Sequence, residues 1–167
     1  MRFSSFTMVL FFAMTLNLMS CGSKPEQKYP FQTERNTINN LLTSWHNAAS
    51  RANFDDYFSL IAEDGMYIGT DEDEVWTKKE FAAFAKPYFD KGRAWEFKAI
   101  KRNIYFSGNP KTAWFDETLN SWMGICRGSG VVKYDESSKS YKIQHYVLSL
   151  TVPNEVIRDV MEVIEKN

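Results

Sequence analysis

The stretch TAWFDETLNSW, residues 112–122, decides the fold, because its side chains alternate cleanly along an extended backbone. Successive strand residues point to opposite faces. Ala113, Phe115, Glu117, Leu119 and Met123 therefore share one face, and Trp114, Asp116, Thr118, Asn120 and Trp122 share the other. The first set reads as a core face with one carboxylate in it. Asp116 and Glu117, although neighbours, point in opposite directions and cannot form a dyad.

Working outward, the extended pattern continues on both sides. Upstream, Ser107-Gly108-Asn109-Pro110 makes a turn from a long strand over Trp95 to Ser107. In that strand Trp95, Phe97 and Ala99 fall on one face and Ile104 and Phe106 on the other, so a bulge is expected near Lys101 to Asn103. Downstream come a glycine-rich strand, Arg127 to Tyr134, a polar turn, Asp135 to Ser140, and a last strand, Tyr141 to Val152.

The preceding residues have helical spacing instead. Ile38, Leu41, Leu42, Trp45, Ala48 and Ala49 form one stripe, with His46 near its edge. Asn53 is a good N-cap for a second helix, carrying Phe54, Tyr57, Phe58 and Ile61 and ending at Glu63-Asp64-Gly65. Met66 to Thr70 reads as a short strand. Thr77 and Glu80 form a capping box for a third helix, with Trp76 and Phe81 as a hydrophobic staple. Pro87 and Gly92 are expected to stop it. A final amphipathic helix begins near Asn154 and carries Val156, Ile157, Val160 and Ile164. Helices followed by an antiparallel meander predict an α+β fold: a curled sheet wrapped around N-terminal helices, leaving a cone.

The first residues have a different purpose. Arg2 precedes an uncharged apolar stretch, Phe6 to Leu18, shorter than the roughly 20 residues of a membrane span. This is the layout of a secretory signal over residues 1–20. Leu18-Met19-Ser20-Cys21 resembles the bacterial lipobox, which implies cleavage before Cys21 and lipidation of that cysteine. Several acyl chains, at about 0.8 kcal/mol per buried methylene, make a stable membrane anchor. Residues 21–32 then read as a tether and 33–167 as one domain. The address implied is the cell envelope, by export and lipid anchoring in an outer membrane or a periplasm-facing one.

Charge and cysteine use narrow the partners. The chain has 20 Lys and Arg against 21 Asp and Glu, a balance that argues against nucleic acid, whose binders need a basic footprint. With Cys21 lipidated, Cys126 has no partner and reads as a buried small hydrophobe. The two histidines lack any HxH or HExxH spacing, and Asp71-Glu72-Asp73-Glu74 lacks the alternating ligands of a calcium loop, so no metal and no cofactor is expected.

Several segments together resemble the nuclear transport factor 2 superfamily, and more narrowly its SnoaL-like branch. They are Gly69-Thr70-Asp71-Glu72 with Trp76-Thr77, Ala113 to Glu117, Arg127-Gly128-Ser129-Gly130, and Tyr141-Lys142-Ile143 running to Val152-Pro153-Asn154-Glu155. The resemblance covers about residues 33 to 155. It implies the α+β cone and often a homodimer through the outer face of the sheet. Its members include isomerases, cyclases, dehydratases and binding proteins, so it does not choose a function.

The candidate site residues carry open alternatives. Glu117 is a pocket acid or base, or the structural partner of Arg127. His145, taken with Tyr141, Ile143 and Val147, is a proton-transfer group or a satisfied core residue. Trp45, Tyr67, Phe84 and Trp95 line the cone or simply fill it, and Arg127 or Tyr67 could steady negative charge. The expected function is a lipid-anchored module binding a small, largely apolar ligand or a partner. The alternative is a cofactor-independent isomerase, cyclase or dehydratase using Glu117 or His145.

Overall fold

A computed structural model describes residues 30–166. The expected signal segment and Cys21 lie outside the described residues. Helix α1 (Gln32–Ser50) is followed by α2 (Phe54–Ser59), β1 (Ile61–Ile68), β2 (Val75–Thr77) and α3 (Lys78–Asp90). Four long strands follow: β3 (Lys98–Phe106), β4 (Thr112–Ser121), β5 (Gly124–Asp135) and β6 (Ser140–Leu150). A 3-10 turn (Asn154–Val156) leads into α4 (Ile157–Ile164).

The six strands make one curled, unclosed sheet in the order β2-β1-β6-β5-β4-β3. All neighbouring pairs are antiparallel except β1 with β6, which the intervening helix and meander make parallel. Helices α1 to α3 cover the concave face. The expected α+β cone is therefore what the chain forms.

Each helix follows from its local chemistry. In α1, Ile38, Leu42, Trp45, His46, Ala48 and Ala49 are buried along one stripe. Asn53 caps α2 by accepting from the Asp56 amide at 3.1 Å. In α3 the capping box forms in full, with the Thr77 amide donating to Glu80 at 2.9 Å. The staple closes too, Trp76 and Phe81 stacking with centroids 5.5 Å apart.

Several features differ from the sequence reading, among them an unexpected short strand, β2, before α3. The second helix stops at Ser59 rather than reaching Glu63, and β1 begins at Ile61, because Ile61 pairs with Ile143 of β6. Sheet pairing here outweighs the helical pattern of Phe54 to Ile61. Pro87 does not stop α3, which runs on to Asp90. Both Pro87 and Ala83, whose carbonyl loses its donor, are exposed, so water can satisfy that carbonyl. Strand β3 starts at Lys98, leaving Trp95 and Phe97 in the connection, where Trp95 packs edge-on against Tyr57 at 5.7 Å. Its bulge falls between Ala99 and Lys101, two residues before the centre of the expected one.

The alternation that opened the sequence reading holds. Ala113, Phe115, Glu117 and Leu119 are buried, while Trp114 is 44% exposed on the other face. Cys126 is free and buried.

Candidate functional site

Glu117 is the one buried acid among the described residues, at 1% exposure, and it sits in the concave face surrounded by partners. His46 of α1 places Nε2 2.7 Å from Glu117 Oε1. Arg102 of β3 donates from Nε to Oε2 at 2.8 Å, and Tyr146 of β6 donates its hydroxyl to Oε1 at 3.1 Å. Three separate elements thus converge on one carboxylate, and both of its oxygens are occupied.

Register explains the convergence. Arg102 lies directly opposite Glu117 in the β3–β4 ladder. Arg102 shares the parity of Ile104 and Phe106, which face the core, and the bulge after Ala99 lets Ala99, opposite Leu119, face the same way. Arg102 is itself held to α1, its Nη1 donating to the Asn39 carbonyl at 2.9 Å and to Thr43 Oγ1 at 3.0 Å. That ties the first helix to the edge strand.

Gly128, opposite Glu117 on β5, provides the room. A Cβ there would lie 2.1 Å from the Tyr146 hydroxyl oxygen and 3.0 Å from Glu117 Cγ. Gly130 does the same two residues on, where a Cβ would meet the His145 carbonyl oxygen at 2.2 Å. The glycines of Arg127-Gly128-Ser129-Gly130 thus permit close packing on the strand's concave side.

The electrostatics follow from these contacts. Burial pushes the Glu117 carboxyl up, but the hydrogen bond from His46 and the charges of His46 and Arg102 outweigh it. The net result is a carboxyl held below its ordinary value. Burial, reinforced by the Glu117 charge, pushes the Tyr146 hydroxyl far up, so it stays a donor. Burial also raises Tyr67 and Tyr57.

Three site expectations are corrected. Arg127 does not pair with Glu117: it faces Thr118 in the ladder and is exposed on the convex side. Its parity differs from that of Glu117's partner Gly128, and Arg102 takes the role instead. His145 is not beside Tyr141 and Ile143 on the concave face. A bulge in the β5–β6 ladder pairs Val131 with His145 but Val132 with Ile143, so Tyr146 takes the inward position and His145 turns outward. Trp45 is buried core rather than cleft lining, stacked 4.9 Å from Tyr57 and edge-on to Tyr146 at 4.7 Å.

Tyr67, Phe84 and Trp95 do share a cleft, of about 180 Å³, with Trp76, Phe97 and Trp122 among its walls. Glu74 stands at its polar edge, its carboxylate accepting from the Thr70 amide at 2.9 Å. This bond closes the Asp71 to Glu74 loop on itself.

His46 has a second aspect. It lines a separate cleft of about 400 Å³ between α1 and β3, with Thr43, Asn47, Ser50 and Phe97. Among the described residues its Nδ1 makes no hydrogen bond, since Nε2 is the nitrogen that meets Glu117. His46 and Arg102 were the residues missed by sequence reading. Their signals were present: His46 is four residues after Leu42 and eight after Ile38, and Arg102 is two before Ile104.

The comparisons with known proteins agree with this architecture. Among solved structures, an NTF2-like protein of unknown function from Pseudomonas putida superposes with a TM-score of 0.59 at 12% identity, over 74% of this chain and 90% of that one. A candidate dehydratase of the NTF2-like family from Streptomyces avermitilis gives 0.58 at 16% identity, over 72% and 98%. A candidate aromatic ring hydroxylase from Novosphingobium aromaticivorans gives 0.60 at 14% identity, over 72% and 91%. Such identities establish a shared fold and nothing of shared chemistry. A search of curated protein sequences found no match. The SnoaL-like domain model matches residues 38–153, from the first buried residue of α1 to just beyond the last strand, and the chain belongs to the SnoaL-like domain family.

Proposed function

We propose that the chain is exported and lipid-anchored through Cys21 in the cell envelope, where its SnoaL-like domain holds a small, largely apolar ligand in the aromatic cleft. The observation that carries this reading is the contrast between two places. Glu117 has both oxygens occupied, whereas the cleft has uncovered aromatic walls, with Phe84 at 40% and Trp122 at 83% exposure. Size sets the ligand class. An apolar cavity near 150 Å³ holds about one benzene ring, while drug-sized ligands need about 300 Å³ or more. A cleft of about 180 Å³ therefore suits a single ring. Tyr67, whose hydroxyl has no hydrogen-bond partner among the described residues, supplies a neutral donor for one ligand oxygen.

A second reading is the cofactor-independent isomerase, cyclase or dehydratase. One observation favours it: the Glu117–His46 pair leaves His46 Nδ1 free beside the 400 Å³ cleft, the arrangement of an oriented general base.

One set of measurements separates the two. The soluble form from Ser23 onward should bind p-cresol with quenching of tryptophan fluorescence, and Phe84→Asp should weaken binding by about 10-fold or more, the loss of roughly one apolar wall. His46→Gln should leave that affinity unchanged. Deuterium exchange into a cyclic enone that is lost in His46→Gln would favour the enzyme. For the anchor, mass spectrometry of the membrane-extracted protein should find Cys21 as an acylated first residue, and an unacylated Cys21 would remove that part of the proposal.

A further inference from the structure

The aromatic cleft carries a charge pattern that a neutral ring does not use. Tyr67, Trp76, Phe84, Trp95, Phe97 and Trp122 stand among its walls, and no lysine or arginine does. Its one carboxylate is that of Glu74. An aromatic ring has a negative face, so walls of indole, phenol and phenyl rings attract cations. Trp122, at the β4–β5 hairpin, is 83% exposed and stacks on no other ring among the described residues.

Glu74 is held in place rather than neutralised. Its Oε2 accepts from the Thr70 amide at 2.9 Å and the Asp71 amide at 3.3 Å. Gly69 makes the room, since a Cβ there would fall on that same oxygen. Oε1 accepts no hydrogen bond among the described residues. Nor, among them, does any cation pair with Asp71, Glu72, Asp73 or Glu74. Glu117 is the contrast, with Arg102 and His46 both against it. The Glu74 field reaches into the cleft: after burial, its charge is the next cause pushing the Tyr67 hydroxyl up. Tyr67 itself is 6% exposed, and its hydroxyl is left as a donor without a partner among the described residues.

An acid without a counter-ion, beside electron-rich walls, calls for a positive charge from the ligand. A methylated ammonium suits those walls better than a primary one, because it has no N–H that the rings would leave unbonded. Size agrees. A trimethylammonium head is comparable in bulk to the benzene ring that an apolar cavity of about 150 Å³ holds, and the cleft has about 180 Å³.

We infer that the ligand of this cleft is an organic cation, its trimethylammonium head held among Trp76, Phe84, Trp95 and Trp122 with its charge facing Glu74 and an oxygen of its tail accepting from Tyr67. The inference rests on the aromatic cleft being a ligand site and names the chemistry of that ligand.

The soluble form from Ser23 onward keeps the whole buried core, Ile38 to Leu148, and suffices for the test. Titrations followed by tryptophan fluorescence compare choline with 3,3-dimethylbutan-1-ol, its uncharged isostere. Choline should bind about 10-fold or more tightly than the isostere and should displace p-cresol. Glu74→Gln should cut that preference by about 5-fold or more. Trp122→Leu keeps an apolar side chain but removes the indole face, and should weaken choline by about 3-fold. Thermal melts monitored by circular dichroism confirm that each variant is folded. Phosphatidylcholine vesicles tell a lipid headgroup from a free cation. Co-sedimentation that free choline reverses assigns the headgroup, and choline binding without co-sedimentation assigns the free ligand. Equal affinity for choline and its isostere overturns the inference, as does a preference indifferent to Glu74→Gln. In both cases p-cresol binding would leave the aromatic cleft standing as a ligand site, whereas a protein that binds neither p-cresol nor choline removes both readings.

Discussion

Glu117→Gln is expected to destabilise the folded chain by about 3–5 kcal/mol, the cost of removing one member of a buried charge cluster. The substitution keeps the volume but removes the anion. Arg102, whose side chain is 5% exposed, then keeps its charge facing no anion, only neutral oxygens: at best the introduced amide carbonyl, with those of Asn39 and Thr43. Those bonds to α1 place the expected cost toward the lower end of that range. Urea unfolding at neutral pH should shift the midpoint without changing the slope, since the surface exposed on unfolding is the same.

The penalty should also depend on pH with a definite sign. The folded carboxyl lies below its ordinary value of 4.5, so its contribution is complete above that value. It is lost as pH falls through the lowered folded value. The amide introduced by Glu117→Gln has no proton to take up, so the gap between wild type and variant narrows in acid. A gap that widened there would mean the carboxyl is protonated more readily in the fold than outside it.

Gly128→Ala should be the second large effect, about 1–3 kcal/mol from overpacking. The new methyl would lie 2.1 Å from the Tyr146 hydroxyl oxygen and 2.8 Å from Cζ. The ring cannot swing away easily, being edge-on to Trp45 at 4.7 Å and 6.0 Å from Phe115. Either the backbone shifts or Tyr146 gives up its bond to Glu117. Tyr146→Phe removes the atom nearest the clash, so Gly128→Ala should cost less in that background, by about 0.5 kcal/mol or more. Strictly additive costs would show that the hydroxyl does not define the space. Unfolding curves of the two single variants and the double variant decide this.

Much of this arrangement was legible in the sequence, and the failures share one cause. Alternation in residues 112–122 correctly placed Glu117 inward and Asp116 outward, because a strand's period of two needs no tertiary information. Thr77 and Glu80 gave the start of α3 for the same reason: capping chemistry is local. Bulges are not local. Each inserts a residue and inverts every facing beyond it. The bulge after Ala99 lets Ala99 share the face of Arg102, and the one beside His145 turned that histidine outward and put Tyr146 in its place. Cross-strand register was equally hidden, which is why Arg127, rather than Arg102, looked like the partner of Glu117. His46 was legible from its spacing to Ile38 and Leu42, but its polarity drew it toward the stripe's edge. A buried carboxylate on another element was the missing reason for it to turn in.

The site depends on Glu117 being held as a clamped anion by His46, Arg102 and Tyr146. A titration of ¹³C-glutamate-labelled protein by NMR, with Glu117 assigned by its absence in Glu117→Gln, reads that state directly. The expected result is an ionised carboxylate throughout the neutral range, taking up its proton only below the ordinary glutamate value. A neutral carboxyl at pH 7, or a midpoint above about 6, would contradict it, since that is the range of a working general acid.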